Sequence, residues 1–270
     1  MNKIENTNIN NLGLLNSLSL IINAGEHDSN YAIASYIIHN IERIHELSIN
    51  ELVDETFTSR SAIRRFSERL GYDNYSEMKA SINRLIFPSD LRHRKPLDLK
   101  NHRDKIKDTV VDLIDDINSM WPNETVNEFI ELLHNNKNIL LVCANNTSGD
   151  LIRFQQELIF ANKIIEIISG SYTNNELLNN TNQNYLIITV SASGKFAEIA
   201  DYWIKSLSGY KILITANRNP ILRENYDKLF YLSKGSFSQD KLGMYGKYGI
   251  TYLFDLISNH YLYRFKNKKN

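Results

Sequence analysis

The sequence predicts two fold classes in one chain: an all-helical helix-turn-helix bundle, then a three-layer αβα domain with a five-stranded parallel sheet. Three observations predict it. Residues 47–75 read as two short helices joined by a tight turn and followed by a sharp stop. Between residues 138 and 232, five short runs rich in Ile, Leu and Val recur, with helical periodicity in between. Runs that are apolar on both faces belong to a sheet covered on both sides, which means a parallel one. Between these regions, residues 88–104 (PSDLRHRKPLDLKNHRD) hold two prolines and many charges without an aromatic residue. That composition suits a linker. The expected division is therefore 1–87, a linker at 88–104, and 105–270.

Leu14, Leu15, Leu18 and Ile22 recur at helical spacing and predict a first helix over 12–22. The stretch GEHDS at 25–29 breaks it, with Ser29 or Asn30 placed to cap a second helix over 31–40 that turns Ile33, Tyr36 and Ile37 inward. Ile49, Leu52 and Val53 form the apolar face of the next helix. Thr58 and Ser59 offer hydroxyls to the N-terminus of the one after it. There Ala62, Ile63, Phe66 and Leu70 line one side, and Gly71 is placed for a left-handed stop. A fifth helix is expected over 76–87, with Met78, Ile82 and Leu85 as its stripe.

Beyond the linker, Ile106, Val110, Leu113, Ile114 and Ile117 mark a helix over 105–120. Trp121-Pro122-Asn123 interrupts it, and another helix follows over 126–134. Strands are predicted at 138–143, 163–168, 185–190, 211–215 and 228–232, with helices at 148–161 and 196–206. A closing helix over 244–263 is apolar on two sides and so serves either as core or as a subunit contact.

Composition bounds the possibilities. The chain has 270 residues, 31 Lys and Arg against 31 Asp and Glu, and a hydrophobic fraction of 42%, which suits a globular protein with ample core. A formal net charge of zero does not advertise nucleic acid, so any attraction to phosphate must be local, within a Debye length of about 10 Å. A single cysteine, Cys143, excludes an intrachain disulfide. No apolar run approaches the roughly 20 residues needed to cross a bilayer. The polar start MNKIENTNINN lacks a signal-peptide core, so a cytoplasmic location is expected. His27, His39 and His45 lack ligand spacing, and neither a metal nor a cofactor is expected.

Two sets of residues carry chemistry. On the helix that begins near residue 60, the side opposite the apolar stripe holds Arg60, Ser61, Arg64, Arg65 and Arg69, with Ser59 just before it. Arginines and hydroxyls on one face of a short helix suit a DNA major groove. The same pattern also describes ordinary solvated surface, and the pattern alone leaves both readings open. The second set is a pair of loops at the carboxyl ends of predicted strands, where ligands of such sheets bind. The first, Ala144 to Gly149, brings Thr147 and Ser148; the second, Ser191 to Lys195, brings Ser191, Ser193, Gly194 and Lys195. Hydroxyls, a glycine and a helix start together can hold a phosphate without a metal. Each loop alone is also an ordinary helix cap.

The run TSRSAIRRFSERLGYDNYSEMK (58–79) resembles the signature of the RpiR-type transcriptional regulators, through Arg65-Phe66, Leu70-Gly71-Tyr72 and Tyr75-Ser76-Glu77-Met78-Lys79. Residues 105–260 look like the sugar-isomerase (SIS) phosphosugar-binding domain that partners such domains. Ser148-Gly149 match its first loop, although Ala144 and Asn146 stand where glycines are usual. Ser191, Ser193, Gly194 and Glu198 match its second, although Phe196 replaces a threonine. The resemblance implies a regulator of sugar or amino-sugar metabolism rather than an enzyme. Its implied partners are an inverted-repeat operator in double-stranded DNA and a phosphosugar effector, and it would act as a homodimer or dimer of dimers away from the membrane. Two alternatives stay open: a phosphosugar isomerase, or a SIS domain that has lost its ligand and serves only dimerisation. Glu198, Glu224 and His260 are possible acid or base groups that the sequence does not place, so no catalytic residue is assigned.

Overall fold

Helical periodicity before residue 83 and short apolar runs after residue 138 divide the chain into two kinds of core. In the computed structural model it splits into two units, Met1–Phe87 and Pro88–Asn270. The structure describes residues 10–82, 98–169, 185–235 and 243–266.

Among the described residues, five helices make up the first unit: α1 (Asn10–Asn23), α2 (Ser29–His39), α3 (Ile49–Thr56), α4 (Arg60–Arg69) and α5 (Tyr75–Ile82). A short 3-10 turn at Ile41–Arg43, which the periodicity does not signal, follows α2. Leu14, Leu18, Ile33, Ile37, Leu52, Ile63, Phe66 and Met78 are buried together in one cluster, so each helix contributes at least one residue of its predicted stripe. Each such side chain contributes roughly 1.5–3 kcal/mol by leaving water. The cap of α2 lies one residue earlier than expected: Asp28 Oδ1 accepts the Tyr31 N–H at 2.9 Å. The predicted stretch 83–87 lies outside the described residues.

In the second unit, α6 (Leu99–Met120) starts six residues before the predicted helix does, because Asp98 caps it by accepting the Asn101 N–H at 2.9 Å. The residues from Leu99 to Asp104, expected within the linker, are therefore helix. Pro96 is the last proline before it. The helix ends at Trp121, whose Nε1 donates to the Tyr231 carbonyl at 3.0 Å while its ring stacks on Phe230. Then come α7 (Asn123–Asn135), β1 (Ile139–Cys143), a 3-10 turn at Asn145–Thr147, α8 (Ser148–Ile159) and β2 (Glu166–Ser169). After them run β3 (Tyr185–Val190), α9 (Lys195–Ile204), β4 (Gly209–Thr215) and β5 (Lys228–Tyr231). A π-helical turn at Tyr245–Gly249 leads into α10 (Ile250–Phe265), where the sequence suggests one uninterrupted helix.

All five strands are parallel, in the order β2-β1-β3-β4-β5. Alternation along each strand sorts its side chains between two cores. Ile139, Leu141, Ile188, Val190, Ile212 and Ile214 face the layer of α6, α7, α8 and α10. Leu140, Val142, Ile168, Ile187 and Leu213 face α9 through Ala197, Ala200 and Ile204. Three layers result, as predicted. Three of the strands begin away from their predicted starts, β1 by one residue, β2 by three and β4 by two. Gly209 explains the last: at φ +141 it lies so close to β3 that a Cβ would sit 2.1 Å from the Tyr185 carbonyl.

Candidate nucleic-acid interface and candidate ligand loops

The two helices α3 and α4 are set by their ends. Ser48 caps α3 through the Glu51 N–H at 3.0 Å. Ser59 caps α4 through the Ala62 N–H at 3.1 Å. At the far end of α4, Gly71 takes φ +87, with its N–H on the Glu68 carbonyl and the Tyr72 N–H on the Ser67 carbonyl, both at 3.0 Å. That pair of bonds is the Schellman arrangement, which satisfies carbonyls the helix leaves over. Between α3 and α4 the chain turns at Phe57, a left-handed residue at φ 52 whose side chain is 95% exposed.

With Ile63 and Phe66 fully buried, α4 has one free face. Ser59, Arg60, Ser61, Arg64, Arg65 and Arg69 are all exposed there, as the sequence leads one to expect for a face that meets solvent or a ligand. Two of the arginines are held. Arg60 donates from Nη2 to Asn50 Oδ1 on α3 at 2.5 Å, and Arg64 donates from Nε to Glu68 Oε1 at 2.8 Å. Arg65 and Arg69 make no hydrogen bond or ion pair among the described residues. Behind α3, Arg43 and Tyr36 both reach Glu51 Oε1, and the Arg43 contact holds that carboxyl below its usual value.

In the second unit the loops after β1 and β3 lie on neighbouring parallel strands, with Cys143 paired to Val190. Because β2 lies to one side of β1 and β3 to the other, this is the point where the strand order reverses, the usual ligand crevice of such a sheet. Thr147 and Ser148 begin α8, and Thr147 makes no side-chain cap, so the amides there are not closed by it. Ser191 is buried, and its Oγ accepts the Ala197 N–H at 3.3 Å, a bond that helps fix the start of α9. Ser193 and Lys195 are half-buried, with the Lys195 N–H 3.4 Å from Ser193 Oγ. Gly194 takes φ +80, and a Cβ on it would lie 2.7 Å from Asn217 Nδ2. Phe196, the departure from the threonine pattern, packs against the core beneath α9.

Asn217 is the residue that reading the sequence misses. Its Nδ2 donates to the Ser193 carbonyl at 2.7 Å and its N–H donates to Thr215 Oγ1 at 3.0 Å, tying the β3 loop to the end of β4. The turn pattern Asn217-x-Asn219-Pro220 is the signal that could have found it. Glu198 lies 3.5 Å from Asn219 Nδ2, and Glu224 caps the 3-10 turn Pro220–Arg223.

A cavity of about 370 Å³ opens elsewhere, lined by Thr109, Asp112, Asp115, Asp116, Lys234 and Tyr245. Asp116 is occupied there by the Tyr245 hydroxyl at 2.5 Å and by the Lys234 N–H at 3.2 Å. Three carboxylates repel a phosphate, so this cavity does not compete with the β1/β3 crevice for an anion. Among the described residues no group of three or more His, Cys, Asp and Glu is placed to hold a metal. Nor is any helix among them long and apolar enough to cross a membrane.

The family profile described as "Helix-turn-helix domain, rpiR family" matches residues 16–86. No curated protein matches the chain. Among solved structures, the Vibrio vulnificus NanR protein complexed with ManNAc-6P is 17% identical, with 95% of this chain and 94% of that one covered and a TM-score of 0.45. The E. coli CFT073 protein c3406, solved as a complex, is 15% identical over 63% of this chain and 95% of that one, with a TM-score of 0.49. The sugar isomerase domain of an RpiR transcription factor from Sphaerobacter thermophilus is 13% identical over 60% and 92%, with a TM-score of 0.42. These likenesses are too distant to lend this chain the ligands of those proteins.

Proposed function

We propose, from the match of residues 16–86 to the rpiR-family helix-turn-helix profile, that the chain is a DNA-binding transcriptional regulator of sugar metabolism rather than an enzyme. In this reading α4 enters the major groove, and a phosphosugar bound between β1 and β3 modulates the affinity for the operator. The observation that carries the first part is the free face of α4, where six arginine and serine side chains stand opposite a fully buried Ile63 and Phe66. Ser59 and Ser61 contact phosphates near the helix start, and the arginines divide between phosphates and guanine edges.

The ligand half of the proposal is supported by the strand-order reversal, by the hydroxyls of Thr147, Ser148 and Ser193, and by the Lys195 charge beside the start of α9. Ser191 contributes from behind, by fixing that helix start. The chain acts as a dimer, because an inverted repeat needs two recognition helices. Exposed Ile152, Ile159 and Phe160 share one face of α8 and its C-terminal end, an apolar surface suited to a second copy. A ligand shifts DNA affinity only to the extent that it binds one dimer arrangement better than the other.

The test is retention of duplex DNA by the full chain, with an operator selected from random sequence. Arg65→Ala should weaken binding and lower the dependence on log[salt] by roughly 0.9, the loss of about one phosphate contact. A chain that retains no duplex at low ionic strength overturns the proposal.

A further inference from the structure

We infer that Glu68 is a specificity determinant of the DNA-facing helix, acting as a positioning residue for Arg64 and as a local deterrent to phosphate. The inference rests on the reading of α4 as the recognition helix. Arg64 and Glu68 lie one turn apart on its free face, with side chains 73% and 45% exposed. The single contact between them runs from Arg64 Nε to Glu68 Oε1 at 2.8 Å. It uses one of the five guanidinium N–H groups and leaves both Nη nitrogens available. Two Nη donors side by side match the O6 and N7 acceptors of guanine, so the contact fixes the direction of the fork without occupying the edge that reads a base.

Helix stability does not explain the pair. An exposed i,i+4 ion pair is weak, and the order found here, base before acid, is the less favourable one against the helix dipole. A carboxylate on a face that approaches DNA also weakens binding to any phosphate it meets. Its effect is therefore to favour sequences in which Arg64 finds a base over those in which it would settle on the backbone, since specificity is a difference of affinities. The rest of the face fits this division. Arg60 is likewise held, by Asn50, whereas Arg65 and Arg69 make no such contact among the described residues and supply the sequence-independent phosphate contacts.

The experiment titrates the full chain and its Glu68→Gln variant on the selected operator and on a scrambled duplex of equal length, across several salt concentrations. With Glu68→Gln, binding to the scrambled duplex should tighten and its salt slope steepen by roughly 0.9, as Arg64, no longer paired to a carboxylate charge, takes a phosphate. The ratio of specific to non-specific affinity should fall about five- to tenfold, within what one bidentate base contact supplies. A ratio and a slope both unchanged overturn the inference while leaving the recognition-helix reading intact. Failure of the unmodified chain to prefer the operator overturns both. Because Glu68 is exposed, the variant should melt with the unmodified protein, and a merely structural role would move the melting curve and leave the salt slope alone.

Discussion

Two left-handed residues bracket the recognition helix, and they should respond to substitution in opposite directions. Gly71 sits at φ +87 in the Schellman stop of α4, where a Cβ would meet nothing within 4 Å. Gly71→Ala therefore adds no clash, and its cost is purely conformational, about 1–2 kcal/mol for an L-residue held left-handed. The lower chain entropy of unfolded alanine opposes this by about 0.4–1 kcal/mol. Taking the middle of both ranges, the net loss is about 0.8 kcal/mol. In a unit of this size, that lowers the melting temperature by several degrees, at about 4–8 °C per kcal/mol. Phe57 presents the reverse case. At φ 52 it carries the same strain, and at 95% exposure its ring contributes almost no packing. Phe57→Gly should relieve about 1–2 kcal/mol of strain and lose about 0.5–1 kcal/mol to backbone entropy, for a small net gain. Scanning calorimetry of the full chain, with hydrogen exchange read at the amides of α4 and α5, separates this unit from the other. A Gly71→Ala chain with unchanged protection there, or a Phe57→Gly chain that loses it, would refute the assignment of these two positions to strained turn geometry.

Two further outcomes are expected. Ser193→Ala should abolish any melting-temperature rise that sugar phosphates produce in the unmodified chain while leaving the unliganded melting temperature nearly unchanged, whereas Ser191→Ala should lower the latter by removing the bond to the Ala197 N–H. A ligand-induced rise that survives Ser193→Ala would remove that hydroxyl from the proposed site. Cys143 is buried, and that burial, reinforced by the charge of Asp150, pushes its thiol from the ordinary 9.0 up to about 12. The folded-state value is the higher one, so the thiol's contribution to stability is complete below pH 9 and falls as pH rises from there toward 12. At roughly pH 8, below even the ordinary thiol value, Cys143 should resist alkylation until the chain is denatured, and rapid labelling of folded protein would contradict this placement.

The helix-turn-helix was legible because it is a local device. Its apolar spacing, its Ser59 cap and its Gly71 stop all act within one or two turns of chain, so residues near in sequence carry the whole signal. The turn itself was less legible, because a left-handed position usually advertises itself with glycine and here holds Phe57. Strand existence could be read from apolar runs, but α6 begins early because Asp98, a single capping side chain, extends the helix past its apolar stripe.

The sequence by itself determined the two fold classes, the covered parallel sheet, and which face of α4 is left over once Ile63 and Phe66 are buried. Tertiary structure alone decided that the order of strands reverses between β1 and β3, which brings the two hydroxyl loops to one crevice. It alone showed that Ser191 faces inward as a helix support and that Asn217, just past β4, holds the neighbouring loop. Strand order, and contacts between residues far apart along the chain, depend on how whole elements pack. No local pattern of residues encodes that.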